Sequence, residues 1–211
     1  MQLDSLMRRN IYLASKRVFD IVISCAALLL LSPVMIFVAT RIKRQSPGPA
    51  IHKRKCVCKN GYYFMYKFRS MVADADNLQK YLTSEQIDEY YHNIKVENDP
   101  RITRIGQSIR TSSVDELPQL FNVIKGEMSL VGPRPVAVEE ACLYGDDLDE
   151  VLSAKPGITG YWQTHGRSDA TYDSGKRQEL ELYYVRHQSF MLDVKILLKT
   201  IVVVLRKEGA K

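Results

Sequence analysis

One uncharged stretch limits what this chain can fold into. Residues 21–40 read IVISCAALLLLSPVMIFVAT and contain no Asp, Glu, Lys or Arg. A helix of that length is about 30 Å long, which matches the hydrocarbon core of a bilayer. The run is long for the apolar core of a secretory signal peptide, and no small-residue cleavage site precedes Arg41. The stretch therefore predicts a membrane segment.

Basic residues lie on both sides of the uncharged run. They are Arg8, Arg9, Lys16 and Arg17 before it, and Arg41, Lys43 and Arg44 after it. Because basic residues prefer the cytoplasmic side of a membrane, both ends of the run are expected on that side. Ser32-Pro33 lies inside the run, and proline kinks a helix by removing a hydrogen bond. The pattern predicts a re-entrant helix hairpin hinged at Ser32 and Pro33, and on physical grounds alone a kinked transmembrane helix is an equal alternative.

Asp20 opens the run, three residues after Arg17 and four after Lys16. These spacings place the three side chains on one face of a helix. We therefore expect ion pairs between Asp20 and the two cations, anchoring the segment at the headgroup layer.

Length and charge narrow the class of protein. A chain of 211 residues forms one domain with a core, and its net charge of +6 suggests an anionic partner. That partner could be nucleic acid, a phosphorylated small molecule or an anionic membrane, but no nucleic-acid-binding motif is present. Cys25, Cys56, Cys58 and Cys142 form no disulfide framework and are read as reduced, cytosol-facing thiols. The spacing of His52, Cys56 and Cys58 matches no common zinc site.

A β-hairpin is predicted directly after the membrane segment. Asn60-Gly61 is a strong turn signal between two candidate strands, Ala50–Lys59 and Tyr62–Met71. On the second strand Lys67 and Arg69 alternate onto one face. Two cations on one face beside a membrane could bind phosphate. The alternative is a basic strand that is simply solvated, and the spacing alone favours this alternative.

The centre of the chain carries two adjacent acids, Asp115 and Glu116. Ser113-x-x-Glu116 fits a capping box, although Pro118 allows Asp115 itself to be the cap. Four apolar residues then follow at helical spacing, and Gly126 is the expected end of the helix. The four are Leu117, Leu120, Phe121 and Ile124. An ordinary helix start is the simpler interpretation of this feature on its own.

Two later stretches add candidate ligand contacts. Arg134 lies in the rigid turn Val131–Pro135, which follows the acids. The glycine-containing loop 157–167 brings aromatic, amide and guanidinium groups suited to a nucleotide or a sugar, or it is a surface loop with one packed Trp. Residues 190–206 are apolar with interspersed charges, which predicts a helix lying in the membrane interface or a buried core helix.

Together these motifs resemble the bacterial sugar transferase family, the monotopic polyprenyl-phosphate phosphoglycosyl transferases that start the assembly of exopolysaccharide, capsule, O-antigen and glycoprotein glycans. The resemblance covers about residues 16 to 206 and keeps the family's motif order. The matching motifs are KRxFD at 16–20, SP at 32–33, KFRSM at 67–71, DPR at 99–101, DELPQLFNV at 115–123, MSLVGPRP at 128–135, KPGITG at 155–160 and GR at 166–167.

The resemblance implies an activity and residue roles. The family transfers a sugar 1-phosphate from a UDP-sugar to polyprenyl (undecaprenyl) phosphate and releases UMP. Asp115 would be the covalent nucleophile, and Glu116, with Asp115, would hold Mg²⁺ near the diphosphate. Candidate phosphate-binding cations are Lys67, Arg69, Arg110, Arg134 and Arg167. The tail, with Gly166-Arg167, looks most like members that transfer hexose 1-phosphate, such as galactose or glucose.

The resemblance also implies a place and an architecture. The expected fold is α+β and mainly α-helical, with a re-entrant membrane helix hairpin, a small β-hairpin and interfacial amphipathic helices. Residues 1–45 would be the basic and membrane segment, 46–189 the catalytic domain and 190–211 the interfacial helix. The protein would be monotopic in the bacterial inner membrane, with its active site on the cytoplasmic face. It would be the minimal catalytic form of the family. Homo-oligomerisation is possible. A non-catalytic membrane-anchored scaffold is the alternative, and the intact acid pair argues against it.

One segment departs from the family's pattern. Members commonly read Gln-x-Arg-x-Gly where this chain has Arg54-Lys55-Cys56-Val57-Cys58. The cation missing at Cys56 could be supplied by Arg54 or by Lys55.

Overall fold

The protein is mainly helical and contains two small sheets. A computed structural model describes residues 2–93, 96, 98–166 and 174–206. The helices are α1 (Gln2–Gln45), α2 (Leu78–Tyr81), α3 (Ser84–Asn93), α4 (Arg104–Thr111), α5 (Gln119–Lys125), α6 (Leu148–Val151), α7 (Tyr161–His165), α8 (Lys176–Arg186) and α9 (Phe190–Arg206). The strands are β1 (Ile51–Cys58), β2 (Gly61–Phe68), β3 (Ser129–Val131) and β4 (Gly157–Thr159), and 3-10 segments cover Val114–Glu116 and Val138–Asp147. The predicted mainly helical α+β composition is confirmed.

The predicted β-hairpin is confirmed with a shift of one residue at its turn. β1 and β2 pair antiparallel, and Cys58 lies opposite Gly61, so Lys59 and Asn60 form the connection. Gly61 is therefore the first residue of β2, with a φ of 126°. That backbone conformation is open to glycine at little cost, which explains why the turn signal contains it.

The second sheet requires two glycines at its backbone contact. β3 and β4 pair in parallel. A β-carbon on Gly132 would overlap the Lys155 carbonyl oxygen, and one on Gly157 would overlap the Gly132 nitrogen. Only glycine permits backbones to approach this closely. The contact holds the turn carrying Arg134 against the loop that begins at Gly157.

Helix α1 is apolar and unbroken. It covers 44 residues with Pro33 inside, and the Ser32 hydroxyl donates to the Leu29 carbonyl at 2.9 Å. Among the described residues, Arg9–Gln45 is the one helical stretch that is long and apolar enough to cross a membrane. The predicted apolar membrane segment is present as a helix, whereas its division into the two helices of a hairpin is not confirmed.

Both halves of α1 pack against the same folded domain. Leu28 contacts the main core, to which the β-hairpin, α5, β3, α8 and α9 contribute. Val38 and Ile42 are buried in a second cluster with residues of β2 and α4. Between these contacts, Leu29 and Leu30 are 81% and 78% exposed. The middle of the apolar run is thus its most exposed part.

Polar side chains before the apolar run bind distant elements instead of one another. Asp20 is buried and accepts a hydrogen bond from the Ser129 hydroxyl at 2.7 Å. Lys16 pairs with Asp193 of α9 at 2.8 Å, and Arg17 donates to two carbonyls at the C-terminal end of α5. The predicted ion pairs of Asp20 with Lys16 and Arg17 are therefore wrong, because each side chain has a buried partner elsewhere in the fold.

Helix α5 is attached to β2 by a polar side chain. Asn122 is fully buried, donates to the Phe64 carbonyl at 2.7 Å and accepts from the Tyr66 N–H at 3.0 Å. Phe121, which was predicted to belong to the apolar face, is 48% exposed. The predicted end at Gly126 is confirmed by its left-handed φ of 85°.

Helix α9 has one buried side and one exposed apolar side. Asp193, Ile196 and Val203 are buried, whereas Leu198 and Leu205 are 61% and 77% exposed. A core helix buried on all sides does not fit this distribution. The predicted interfacial position fits it but is not confirmed.

Candidate active site

The two central acids lie in a tight turn before α5. Val114–Glu116 is a 3-10 segment, which we call the acid turn. The predicted capping box is wrong, because Ser113 has a left-handed φ of 55° and its side chain caps nothing. The α-helix begins only at Gln119, since Pro118 has no N–H to donate and is tolerated only at the helix start. The turn projects both carboxylates without a regular helix around them.

Lys67 is held against the acid turn. Its ammonium group lies 2.9 Å from a carboxylate oxygen of Glu116, and both side chains remain partly exposed, at 21% and 26%. Lys67 is on β2, so the β-hairpin and the acid turn, far apart in sequence, meet at this ion pair. A solvated basic strand was favoured on spacing alone, and this is wrong for Lys67, which is paired with Glu116.

The protonation of Asp115 is perturbed by its surroundings. Burial raises the pKa of its carboxyl to about 6, Glu116 adds to this, and Lys67 and Arg110 oppose it. A buried carboxylate with incomplete compensation is poorly solvated when ionised, and such groups cluster at functional sites. Asp115 is nevertheless largely ionised at neutral pH.

Arg110 approaches Asp115 from α4. Its Nε donates to the Ser70 hydroxyl at 2.8 Å. Burial lowers the pKa of its guanidinium, while the negative charges of Asp115 and Asp99 raise it. Arg110 was predicted as a phosphate-binding cation, and the structure brings it to the acid turn.

The acid turn opens into a cleft, which we call the central cleft. Its walls come from β1, β2, the acid turn, α5, the turn at 134–137, β4, α7 and α9. The charged and amide side chains that line it are Arg54, Lys67, Glu116, Gln119, Arg134 and Gln163, and the larger apolar ones are Met65, Ile158, Val203 and Val204. The cleft therefore combines several cations with one apolar wall.

A buried charged cluster supports Arg134 at the cleft. The Arg134 N–H donates to the Glu181 carboxylate at 2.8 Å, and the Arg134 and Arg177 guanidiniums lie over the Trp162 ring at 5.6 and 4.4 Å. Burial raises the pKa of Glu181 to about 7, against the lowering effect of Arg177. Sequence reasoning missed Arg177 and Glu181, although an Arg and a Glu four residues apart were visible in α8.

Comparison with known proteins gives a consistent result. The sequence profile described as Bacterial sugar transferase matches residues 11–207. The chain belongs to the bacterial sugar transferase family. The resemblance inferred from the motifs is thereby confirmed.

Three curated relatives carry names that describe an activity or a pathway. The chain is 47% identical over 199 residues, 92% of its length, to the undecaprenyl-phosphate galactose phosphotransferase of Salmonella typhimurium, covering 41% of that protein. It is 44% identical over 207 residues, 95% of its length, to galactosyl transferase CpsE of Streptococcus agalactiae, covering 44% of it. It is 38% identical over 200 residues, 93% of its length, to exopolysaccharide production protein ExoY of Sinorhizobium fredii, covering 88% of it. The chain thus spans less than half the length of the first two relatives.

The departure from the sugar transferase pattern at 54–58 is resolved in favour of Arg54. Arg54 lines the cleft and pairs with Glu140 at 3.2 Å. Lys55 lies 3.7 Å from the Tyr62 ring centroid and does not line the cleft. Cys56 is fully buried, and burial raises the pKa of its thiol to about 11. Of the two cations considered, Arg54 is the one positioned at the cleft.

Arg69 and Arg110 do not line the cleft, although both were predicted to bind phosphate. Arg69 is buried and donates to the carbonyls of Ser46 and Pro47 at 2.7 and 2.6 Å, where it holds the connection between α1 and β1. Arg167 lies outside the described residues. Their binding to phosphate stays a prediction.

The loop at 157–166 lines the cleft in part. Ile158, Thr159, Gln163 and Thr164 belong to the wall. Trp162 is 8% exposed and packed under the two guanidiniums described above, so the packed-Trp alternative is correct for that residue.

The acid turn offers the donors that Mg²⁺ prefers. The described residues contain no group of three or more His, Cys, Asp or Glu side chains that could hold a metal. Magnesium is typically held by one or two carboxylates together with substrate phosphates and water, and Asp115 and Glu116 can supply those carboxylates. A cation there would also favour the ionised form of Asp115, whose pKa burial raises. The residues therefore fit the predicted ion.

Proposed function

We propose that this chain transfers a sugar 1-phosphate from a UDP-sugar to polyprenyl phosphate, undecaprenyl phosphate in bacteria, and releases UMP. The observation that carries the proposal is the acid turn, where Asp115 with its raised pKa lies beside the Glu116–Lys67 pair at a cationic cleft. The names of the Salmonella and Streptococcus relatives support a hexose, galactose in both. The name of the Sinorhizobium relative supports a role in exopolysaccharide production.

The proposed reaction has two displacements at one phosphorus atom. A carboxylate oxygen of Asp115 attacks the phosphorus that carries the sugar. The bond from that phosphorus to the bridging oxygen breaks, and UMP leaves with the electron pair. An oxygen of polyprenyl phosphate then attacks the same phosphorus, which returns Asp115 to its carboxylate form. The product is polyprenyl diphosphosugar.

Cationic side chains at the acid turn and in the cleft offset the repulsion between the Asp115 carboxylate and the diphosphate of the donor. Lys67 and Arg110 lower the pKa of Asp115 and so keep the nucleophile ionised against the effect of burial. Arg54 and Arg134 are placed to bind phosphate oxygens of the donor. Mg²⁺ bound by Glu116 and Asp115 would neutralise charge on the donor's phosphates.

A two-step route suits substrates from two phases. The water-soluble donor can react and UMP can leave before the lipid phosphate enters the same cleft. Asp115 is half-buried in the acid turn, next to Glu116, which lines the cleft. This burial limits hydrolysis of a covalent intermediate by bulk water.

We also propose that α1 enters and leaves the membrane on the cytoplasmic side of the bacterial inner membrane. Lys16 at one end of the apolar run is paired with Asp193 of α9, and Gln45 at the other end accepts a hydrogen bond from the Ile105 N–H. A helix that crossed the bilayer would put these ends about 30 Å apart on opposite sides. Contacts of both ends with one domain, together with basic residues at both ends, support re-entry, with Ser32-Pro33 near the deepest point.

Intact-protein mass spectrometry tests the proposed chemistry. The protein in detergent is incubated with Mg²⁺ and a panel of UDP-sugars without lipid acceptor, and Asp115→Asn is the matched control. We expect a mass increase of one sugar phosphate in the parent and none in the control, because an amide cannot act as the nucleophile. Substantial turnover by Asp115→Asn would exclude the covalent role. Absence of both adduct and UMP release with every donor would favour a non-catalytic scaffold.

A further inference from the structure

Helix α9 separates the central cleft from an exposed apolar surface. Thr200, Val203 and Val204 line the cleft. Leu198, Val202 and Leu205 point away from it and are 61%, 45% and 77% exposed. A helix with one side in a site and an apolar side outside is suited to lie between a polar site and lipid.

A hydrogen bond holds α9 against the wall of the central cleft. The Thr200 hydroxyl is hydrogen-bonded to the Thr159 hydroxyl of β4 at 2.7 Å. This hydrogen bond joins α9 to β4 at the position of Thr200. The next turn, with Val203 buried and Val204 37% exposed, forms the border between the cleft and the exterior.

The lining of the cleft is chemically mixed. Lys67 and Arg134 suit a phosphate. Ile158 of β4 and Val203 and Val204 of α9 supply an apolar part of the lining, which we call the apolar wall. A UDP-sugar accounts for the cations through its diphosphate, and its uracil ring offers one flat apolar face but no aliphatic chain. A phosphate joined to an isoprenoid chain accounts for both.

We propose that the turn of α9 after Thr200 is the binding wall for the isoprenoid chain of the acceptor. The lipid phosphate reaches the cations of the cleft while its first isoprene units lie along Val203, Val204 and Ile158. The remainder of the chain passes the end of α9 into the bilayer. None of the described residues of α1 lines the cleft, so of the two long apolar helices α9 is the one that borders the site. This inference rests on the proposed function and adds to it the location of the acceptor.

Substitutions at position 204 separate acceptor binding from donor chemistry. Val204→Trp fills the border with a larger side chain and should raise the KM for undecaprenyl phosphate about tenfold or more. Val204→Ala, which keeps the wall open but removes apolar contact, should raise it roughly threefold to fivefold. The rate of the covalent adduct from UDP-galactose or UDP-glucose, measured without lipid, should stay within about twofold of the parent, since the donor does not use the wall.

Val202→Trp is the matched control, because it places the same side chain on the opposite side of α9. It should leave the KM for undecaprenyl phosphate within about twofold of the parent. A second readout compares undecaprenyl with farnesyl phosphate. The preference of the parent for one chain over the other should change in both Val204 variants and not in the control.

Three results would overturn the assignment. The first is an unchanged acceptor KM in both Val204 variants. The second is an equal effect of Val204→Trp and Val202→Trp, which would indicate a general effect of membrane insertion. The third is slowed adduct formation with unchanged acceptor KM, which would place the wall in the donor site. A parent protein that forms no adduct and releases no UMP would instead refute the proposed function, a result distinct from all three.

Discussion

The structure predicts that the proposed nucleophile destabilises the fold at neutral pH. Burial raises the pKa of Asp115 from 3.8 to about 6. A group whose pKa is higher in the folded state favours folding only while it is protonated. Its ionisation therefore removes stability as the pH rises through the folded-state pKa. Asp115→Asn, which cannot ionise, should be more stable than the parent above that pH.

The size of the effect follows from the two pKa values. The shift corresponds to at most about 3 kcal/mol at pH 7.5 and to about 0.5 kcal/mol at pH 4, because pH 4 lies only just above the unfolded-state pKa of 3.8 and the two states have begun to differ in bound protons only there. For a domain of this size, the upper value is a rise in Tm of roughly 6–12 °C. The variant should thus gain stability while losing turnover, as expected where an active site is held under electrostatic strain.

Thermal unfolding in detergent, without Mg²⁺ and at a series of pH values, measures this. Asp99→Asn is the matched control, since Asp99 is also a buried Asp near Arg110. Although burial opposes it, hydrogen bonds from Arg101 hold the pKa of Asp99 below its usual value. The same substitution there should lower the Tm at pH 7.5. An Asp115→Asn variant with an unchanged or lower Tm at pH 7.5, or with a gain that persists at pH 4, would refute the reasoning.

Three further outcomes are expected. Mg²⁺ should raise the Tm of the parent and do so less for Glu116→Gln, in the same thermal assay; equal shifts would argue against a metal at the acid turn. Gly132→Ala should destabilise the fold by about 2 kcal/mol or more, measured as urea midpoint, because its β-carbon meets the Lys155 carbonyl; an unchanged midpoint would contradict that contact. Asn10→Cys and Arg44→Cys, in a background without the exposed native cysteines, should both be labelled from the cytoplasm only, and labelling from opposite sides would exclude re-entry.

Local sequence patterns predicted much of the fold. The apolar run at 21–40, the hairpin signal at Asn60-Gly61 and the stop at Gly126 each depend on residues a few positions apart, and each corresponds to an element of the structure. The set of motifs between residues 16 and 167, in the family's order, was sufficient to identify the family. The predicted capping box failed, since Pro118 delays the helix and Ser113 adopts a left-handed conformation.

Such local patterns could not predict which side chains pair between distant segments of the chain. Arg69 alternates with Lys67 in the sequence, yet it binds the carbonyls of Ser46 and Pro47. Asp20 has two cations at helical spacing, yet it binds Ser129. In each case the side chain itself is buried and bonds to groups that the fold brings to it, because a buried polar group must be satisfied whereas an ion pair at the surface contributes little.

The long apolar helix, the hairpin, the acid pair and the family to which the chain belongs could all be predicted from the amino-acid sequence. These depend on short-range spacing and on contiguous motifs. The tertiary structure alone brought Lys67 to Glu116, selected Arg54 over Lys55 and placed Val203 and Val204 on the wall of the same cleft. It also raised the pKa of Asp115, because burial and neighbouring charge arise only when distant segments pack together.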